Sequence, residues 1–345
     1  MKLDQRFVFI IGAPLSGTTW LQAMIGAHPL VCTSDELKVF DLFTGPWENS
    51  WELLIQLQKT GGGGPRGLRT IWSDDEFYRF LRAFLERLYR RVLAKKPNAA
   101  VILDKTPGYS DHVEHIARLI PQARFIHLVR DGRDVAASLH AASQDWGRLW
   151  APSRIESAAH LWKHTLLDAR KAKQFGESRY LELRYEDLLN KGAPVLLEAF
   201  RFIGVETTMQ QTESLYSEHT FEKMKNQGAG VQAFDLPKGF FRKGQTGDWR
   251  NHFSSRERYL FHETAGDLLC QLGYAHGSWW IQIPYQRYLI PMIVLFSASW
   301  RLRKKASETV QRIMGPAIAS WLRGAKARLA GNKRRPASTV AKVSP

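Results

Sequence analysis

The sequence predicts an α/β fold: a P-loop-like, doubly wound parallel sheet flanked by helices, with a basic C-terminal extension. Three observations predict it. Short apolar runs rich in β-formers, at Phe7–Ile11, Ala100–Asp104, Arg124–Val129 and Arg179–Arg184, are separated by helical patterns, and that alternation builds parallel sheets. The first run is followed by a glycine-bearing turn and then by a helical stretch, in "FVFIIGAPLSGTTWLQAMIGAHP". The charge is uneven: of the net +16, residues 276–345 carry +12, with 13 Lys/Arg against the lone acid Glu308. The remaining 275 residues are close to balanced, with 36 basic and 32 acidic side chains. A chain of 345 residues is long enough for one large α/β core.

Phe7–Ile11 reads as a fully buried strand, because five apolar residues run without alternation. The spacing Gly12-x4-Gly17-Thr18-Thr19 is nearly that of a phosphate-binding P-loop, in which a lysine follows the second glycine. Here Thr18 stands at that position. Backbone N–H groups of such a turn, with the partial positive charge of a helix N-terminus, form a cradle for anions. Without the lysine, the cradle fits a ligand whose anions are arranged differently from a β,γ-diphosphate.

Next comes "KTGGGGPRG", a flexible connector expected to form a mobile loop over the site. Ser73 and Glu76 form a capping box that opens a helix ending before Pro97. Its apolar positions Phe77, Phe80, Leu81, Phe84, Leu85 and Leu88 recur at helical spacing and mark scaffold. The Arg124–Val129 strand delivers Arg130 to the sheet's carboxyl edge, where open α/β sheets bind ligands. Ser138 follows eight residues later at the expected start of a helix. An arginine fork with a hydroxyl suits a phosphate, although an Arg-Asp pair at a strand end also serves as a plain structural ion pair.

These segments together resemble the sulfotransferases that use 3′-phosphoadenosine 5′-phosphosulfate (PAPS). "GAPLSGTTWL" is similar to their 5′-phosphosulfate loop, and Arg130 with Ser138 is similar to their Arg-x7-Ser 3′-phosphate motif. "YLELRYEDLL" and "FFRKGQTGDWRNHF" resemble their Tyr-Glu-Asp-Leu and Arg-Lys-Gly segments. The resemblance implies PAPS as sulfuryl donor, its 3′,5′-bisphosphate as product, and no metal. It assigns donor binding to Ser16, Gly17, Thr18, Thr19, Trp20, Arg130, Ser138, Tyr185, Arg242, Lys243 and Gly244. It covers roughly residues 1–275, the expected sulfotransferase domain, and leaves 276–345 as a basic, aromatic-rich and partly disordered extension.

For the catalytic base, "HPLVCTSDELKVFD" resembles the segment of glycan and protein-tyrosine sulfotransferases that holds a glutamate, and Glu36 is in register. Asp35 beside it and His112 are the other candidates, and a plain surface acid is the alternative for Glu36. Lys105 in "DKTP" resembles the family lysine that polarises the sulfuryl group or leaving group, with a structural lysine as its alternative. Leu15 departs from the family pattern, which puts Lys or Arg there against the bridging oxygen. Loss of such a cation costs on the order of 10²–10³ in rate, unless Lys105 or Lys38 substitutes.

The expected function is sulfuryl transfer to a hydroxyl of a carbohydrate, glycolipid or small metabolite. The other readings are a catalytically degenerate nucleotide-binding protein of the same fold, which Leu15 favours, and a P-loop kinase, which the missing lysine disfavours. Trp47, Trp51, Trp72, Trp146 and Trp150 suit sugar stacking or helix packing. Cys32 and Cys270 are in no metal-like spacing and point to a reducing compartment. The N-terminus enters a strand with no signal-peptide pattern, so a cytoplasmic enzyme is expected. The tail combines its charge with four tryptophans and a short apolar run, Leu289–Phe296, broken by Pro291 and too short to span a bilayer. It fits peripheral association with an anionic inner-leaflet surface or a solvated basic tail packed in part on the domain. No motif supports nucleic-acid binding, and no internal repeat is present.

Overall fold

The structure, a computed structural model, describes residues 3–61, 64–227, 237 and 239–281. Five parallel strands form one sheet in the order β2-β3-β1-β4-β5. They are β1 (Phe7–Ile11), β2 (Val31–Thr33), β3 (Val101–Lys105), β4 (Arg124–Val129) and β5 (Tyr180–Arg184). β1 is central: Phe9 pairs with Asp104 of β3 on one side and with Phe125 of β4 on the other. The carboxyl ends of β1, β3 and β4 therefore emerge side by side, and that edge holds the site.

Successive side chains on a strand alternate faces, and β1 shows why a non-alternating apolar run was needed. Val8 and Ile10 join Trp20 and Leu21 of α1 (Thr18–Gly26) and Phe200 of α8 (Ala193–Ile203). Phe7, Phe9 and Ile11 join Leu81, Leu85 and Tyr89 of α3 (Asp74–Leu93) and Ile116 of α4 (Val113–Leu119). Both faces are covered, so both must be apolar.

The helix α2 (Gly45–Gly61) precedes α3. The capping box that opens α3 forms as read: Ser73 Oγ accepts the Glu76 N–H, and Glu76 accepts the Ser73 N–H at 2.8 Å. Of the apolar positions read as scaffold, Phe77, Leu81 and Leu85 are buried, while Phe80 is 44% exposed beside Trp47 and Trp72. The glycine connector differs from expectation, because α2 runs on through Gly61. None of its described residues lines the site cavity.

Beyond β4 lie α5 (Gly132–Ser143) and α6 (Ile155–Arg170), then α7 (Tyr185–Lys191), α8, α9 (Met209–Glu218), α10 (Phe221–Gln227) and α11 (Ser255–Gln271). A third apolar cluster joins Val135 and Leu139 of α5, Trp162 of α6, Phe261 of α11 and Trp249. Ser138 is the seventh residue of α5 and so lies inside that helix rather than at its start. The helix begins at Gly132 because Asp131 caps it, its side chain accepting the Arg133 N–H at 2.9 Å. The chain from 282 onward, including the Leu289–Phe296 run, Trp300 and Trp321, lies outside the described residues. Among the described residues, no helix is long and apolar enough to cross a membrane.

Candidate active site

A cavity of about 660 Å³ opens at the carboxyl edge of β1, β3 and β4, a volume typical of small-molecule sites. Its lining includes Gly17, Thr18, Thr19, Trp20, Glu36, Lys105, Arg130, Ser138, Tyr185, Arg242, Lys243 and Gly244. Ser16, the remaining candidate, does not line it. That side chain is 1% exposed beneath the loop, and its N–H closes the turn on the Ala13 carbonyl.

In the β1–α1 turn, Leu15 and Gly17 both have positive φ, 65° and 99°, and left-handed residues of this kind occur in the turns that form anion-binding concavities. Gly17 is required for a second reason: a Cβ there would sit 2.6 Å from the Tyr185 ring. Trp20 is fixed in the cavity wall by donating from Nε1 to the His219 carbonyl at 2.6 Å.

Arg130 ties three segments together. Its guanidinium lies 4.3 Å over the Tyr185 ring centroid and donates to the Leu15 carbonyl at 3.0 Å and the Gln245 carbonyl at 3.2 Å. Its Nε is buried without a partner. Arg242 reaches across to the Ser138 hydroxyl at 3.5 Å, and both Arg242 and Lys243 donate to Asp248, at 2.5 and 2.9 Å. Burial raises the Asp248 pKa, but the Lys243 and Arg242 hydrogen bonds outweigh it and hold the carboxyl far below its usual range. Gly244 has φ 63°, and a Cβ there would meet the Phe221 ring at 2.3 Å, so this turn also needs glycine.

At the other end, Lys105 is 3% exposed and donates to Glu36 Oε1 at 2.6 Å. The two residues come from the end of β3 and from the loop after β2. The Asp35 carboxylate accepts the Glu36 N–H at 2.7 Å, which steadies that loop. His112, the other base candidate, does not line the cavity; it faces Asp41 at 3.6 Å. Of the five tryptophans, Trp146 and Trp150 line the cavity with Phe240. Trp51 is instead buried and stacked on Phe77 at 4.3 Å.

Sequence reasoning missed two residues. Asp41 lines the cavity, and burial with the nearby Asp111 and Glu36 carboxylates pushes its pKa up to about 6; a π-helical turn at Phe40–Thr44 places it, and no motif marks it. Asp134 is fully buried on α5 and accepts the Gly247 and Trp249 N–H groups at 2.6 and 3.0 Å. Sequence spacing also missed a surface group away from the cavity: Asp111, His164 and Asp168 have ligand atoms within 4.8 Å of one another. Lys171 is bound to Asp168 there at 2.6 Å.

Residues 8–209 match the sulfotransferase family, and the chain belongs to it. Mouse protein-tyrosine sulfotransferase 1 is 30% identical over 141 residues, which cover 40% of this chain and 34% of the relative. The Drosophila melanogaster protein-tyrosine sulfotransferase is 24% identical over 209 residues, covering 59% of this chain and 38% of the relative. The chain thus spans about a third of the length of the curated relatives it matches. In three dimensions it shares its fold with a mouse sulfotransferase complexed with PAP. That match has a TM-score of 0.52 at 18% identity and covers 79% of this chain and 89% of the other.

Proposed function

We propose that the protein transfers a sulfuryl group from PAPS to a hydroxyl of a carbohydrate, glycolipid or small metabolite. One observation carries this reading: a single cavity holds an anion cradle, a separate cluster of Arg130, Ser138 and Arg242, and a Lys105–Glu36 pair. Two anion sites fit a donor with a 5′-phosphosulfate and a 3′-phosphate, and PAP is what the mouse neighbour holds.

In this reading the 5′-phosphosulfate lies on the Gly17–Thr19 turn and the 3′-phosphate on Arg130, Ser138 and Arg242. Glu36 takes the proton of the acceptor hydroxyl as its oxygen forms a bond to sulfur. The bond from sulfur to the bridging oxygen breaks, and the electron pair leaves with the 5′-phosphate of PAP. Lys105 stabilises the charge that grows there, where a preorganised cation acts most strongly. The donor's anionic sulfuryl group competes for Lys105 and releases Glu36 from its ion pair. Proton removal thereby waits for a bound donor. No metal enters these steps. Trp146, Trp150 and Phe240 suit stacking against a sugar ring. Protein-tyrosine sulfotransferases are among the relatives, so a phenolic hydroxyl belongs in the acceptor panel.

The test is an acceptor screen with PAPS, read as release of PAP. Turnover with a hydroxyl acceptor is expected. Tight PAP binding without turnover on any acceptor would favour the degenerate nucleotide-binding reading, for which Leu15 is the specific observation. We further propose a cytoplasmic protein whose residues 276–345 form a separate basic extension that meets an anionic membrane surface.

A further inference from the structure

We propose that Asp134 is a positioning residue for the donor's 3′-phosphate, acting through the Arg242–Trp249 segment. The inference rests on the donor-binding reading above and names what assembles that part of the site. Asp134 is 0% exposed and makes no ion pair among the described residues. A buried carboxylate without a cation is costly unless hydrogen bonds satisfy it, and burial raises its pKa. Both oxygens are spent on main-chain donors more than a hundred residues away: Oδ2 takes the Gly247 N–H at 2.6 Å and Oδ1 the Trp249 N–H at 3.0 Å.

Those two N–H groups flank Asp248, which pairs with Arg242 and Lys243 at 2.5 and 2.9 Å. Fixing residues 247 and 249 fixes the carboxylate between them, and that carboxylate aims Arg242. Asp134 and Ser138 are four apart on α5 and so share one face of the helix. One face thus supplies both the hydroxyl that Arg242 meets at 3.5 Å and the clamp that brings Arg242 to it. Arg130 adds the parallel tie through the Gln245 carbonyl at 3.2 Å. Asparagine cannot replace the clamp, because its amide nitrogen would face one of the two N–H donors.

The experiment is calorimetric titration of wild type and Asp134→Asn with PAP and with adenosine 5′-phosphate, which lacks the 3′-phosphate. Asp134→Asn should weaken PAP binding tenfold or more and leave adenosine 5′-phosphate within about twofold. In an Arg242→Ala background the same change should cost nothing further, since coupled residues are not additive. Equal weakening of both nucleotides, or an unchanged PAP affinity, would overturn the proposal. Should Asp134→Asn not fold, amide exchange of Gly247 and Trp249 in wild type decides: both should be slowed by PAP and not by adenosine 5′-phosphate, and equal slowing by the two overturns it. Failure of the underlying reading looks different, because wild type would then bind neither nucleotide.

Discussion

At the scale of single residues, the site turns on which cation faces which anion. Glu36 and Lys105 are 2.6 Å apart, so removal of either leaves the other unmatched. Glu36→Gln should depress turnover by about 10²–10⁴, the usual cost of losing a general base, with PAP affinity nearly unchanged. Full retention of turnover would shift the base to Asp35 or to Asp41, which lines the same cavity. Leu15 tests the leaving-group cation. Its φ of 65° is already adopted by a side-chain-bearing residue, and it lines the cavity. Leu15→Lys should therefore keep the fold and raise the rate if the position lacks a substitute. An unchanged rate in the PAP-release assay would mean that Lys105 already fills the role.

At the scale of elements, legibility followed how local the determinants are. The β1–α1 turn was readable because Gly12, Gly17, Thr18 and Thr19 lie within eight residues and their backbone demands are local. The α3 start was readable for the same reason. Ser73→Ala should cost about 1 kcal/mol of stability, the typical worth of an N-cap, measured by urea unfolding; no change in the midpoint would show that the cap is redundant in this fold. β2 was missed because three residues, Val31–Thr33, carry too little pattern, and only pairing with β3 makes them a strand. Ser138 was misplaced at a helix start because the true cap, Asp131, sits seven residues earlier and looked like the partner of an arginine.

At the scale of the whole molecule, buried charge sets the pH response. Asp104 is 1% exposed, accepts from Tyr89 at 2.6 Å and Tyr109 at 3.2 Å, and burial pushes its pKa up to about 6. A carboxyl whose folded pKa exceeds its unfolded value binds its proton first in the native state. It adds stability below its unfolded pKa, and that contribution is lost as pH rises through about 6. The melting temperature of wild type minus that of Asp104→Asn should therefore rise as pH falls from about 7 to about 4. A flat difference would show that Asp104 ionises normally. The tail is tested at this scale as well: full-length protein should co-sediment with anionic liposomes in a salt-sensitive way, and its remaining in the supernatant at low salt would sink membrane association.

The sequence by itself determined the sheet-and-helix alternation, the glycine turn between β1 and α1, the arginine at the end of β4 and the membership of a family, because each is written in contiguous residues whose backbone and burial requirements are local. Only the tertiary structure decided which candidates share a cavity. Glu36 and Lys105 are 69 residues apart, and Asp134 and Gly247 are 113 apart; nothing in either neighbourhood names its partner. It also decided that Trp146 and Trp150 face the cavity while Trp51 is buried in the core. All three look alike in sequence, and their separation depends on the packing of helices around a sheet whose parallel strands bring distant loops to one edge.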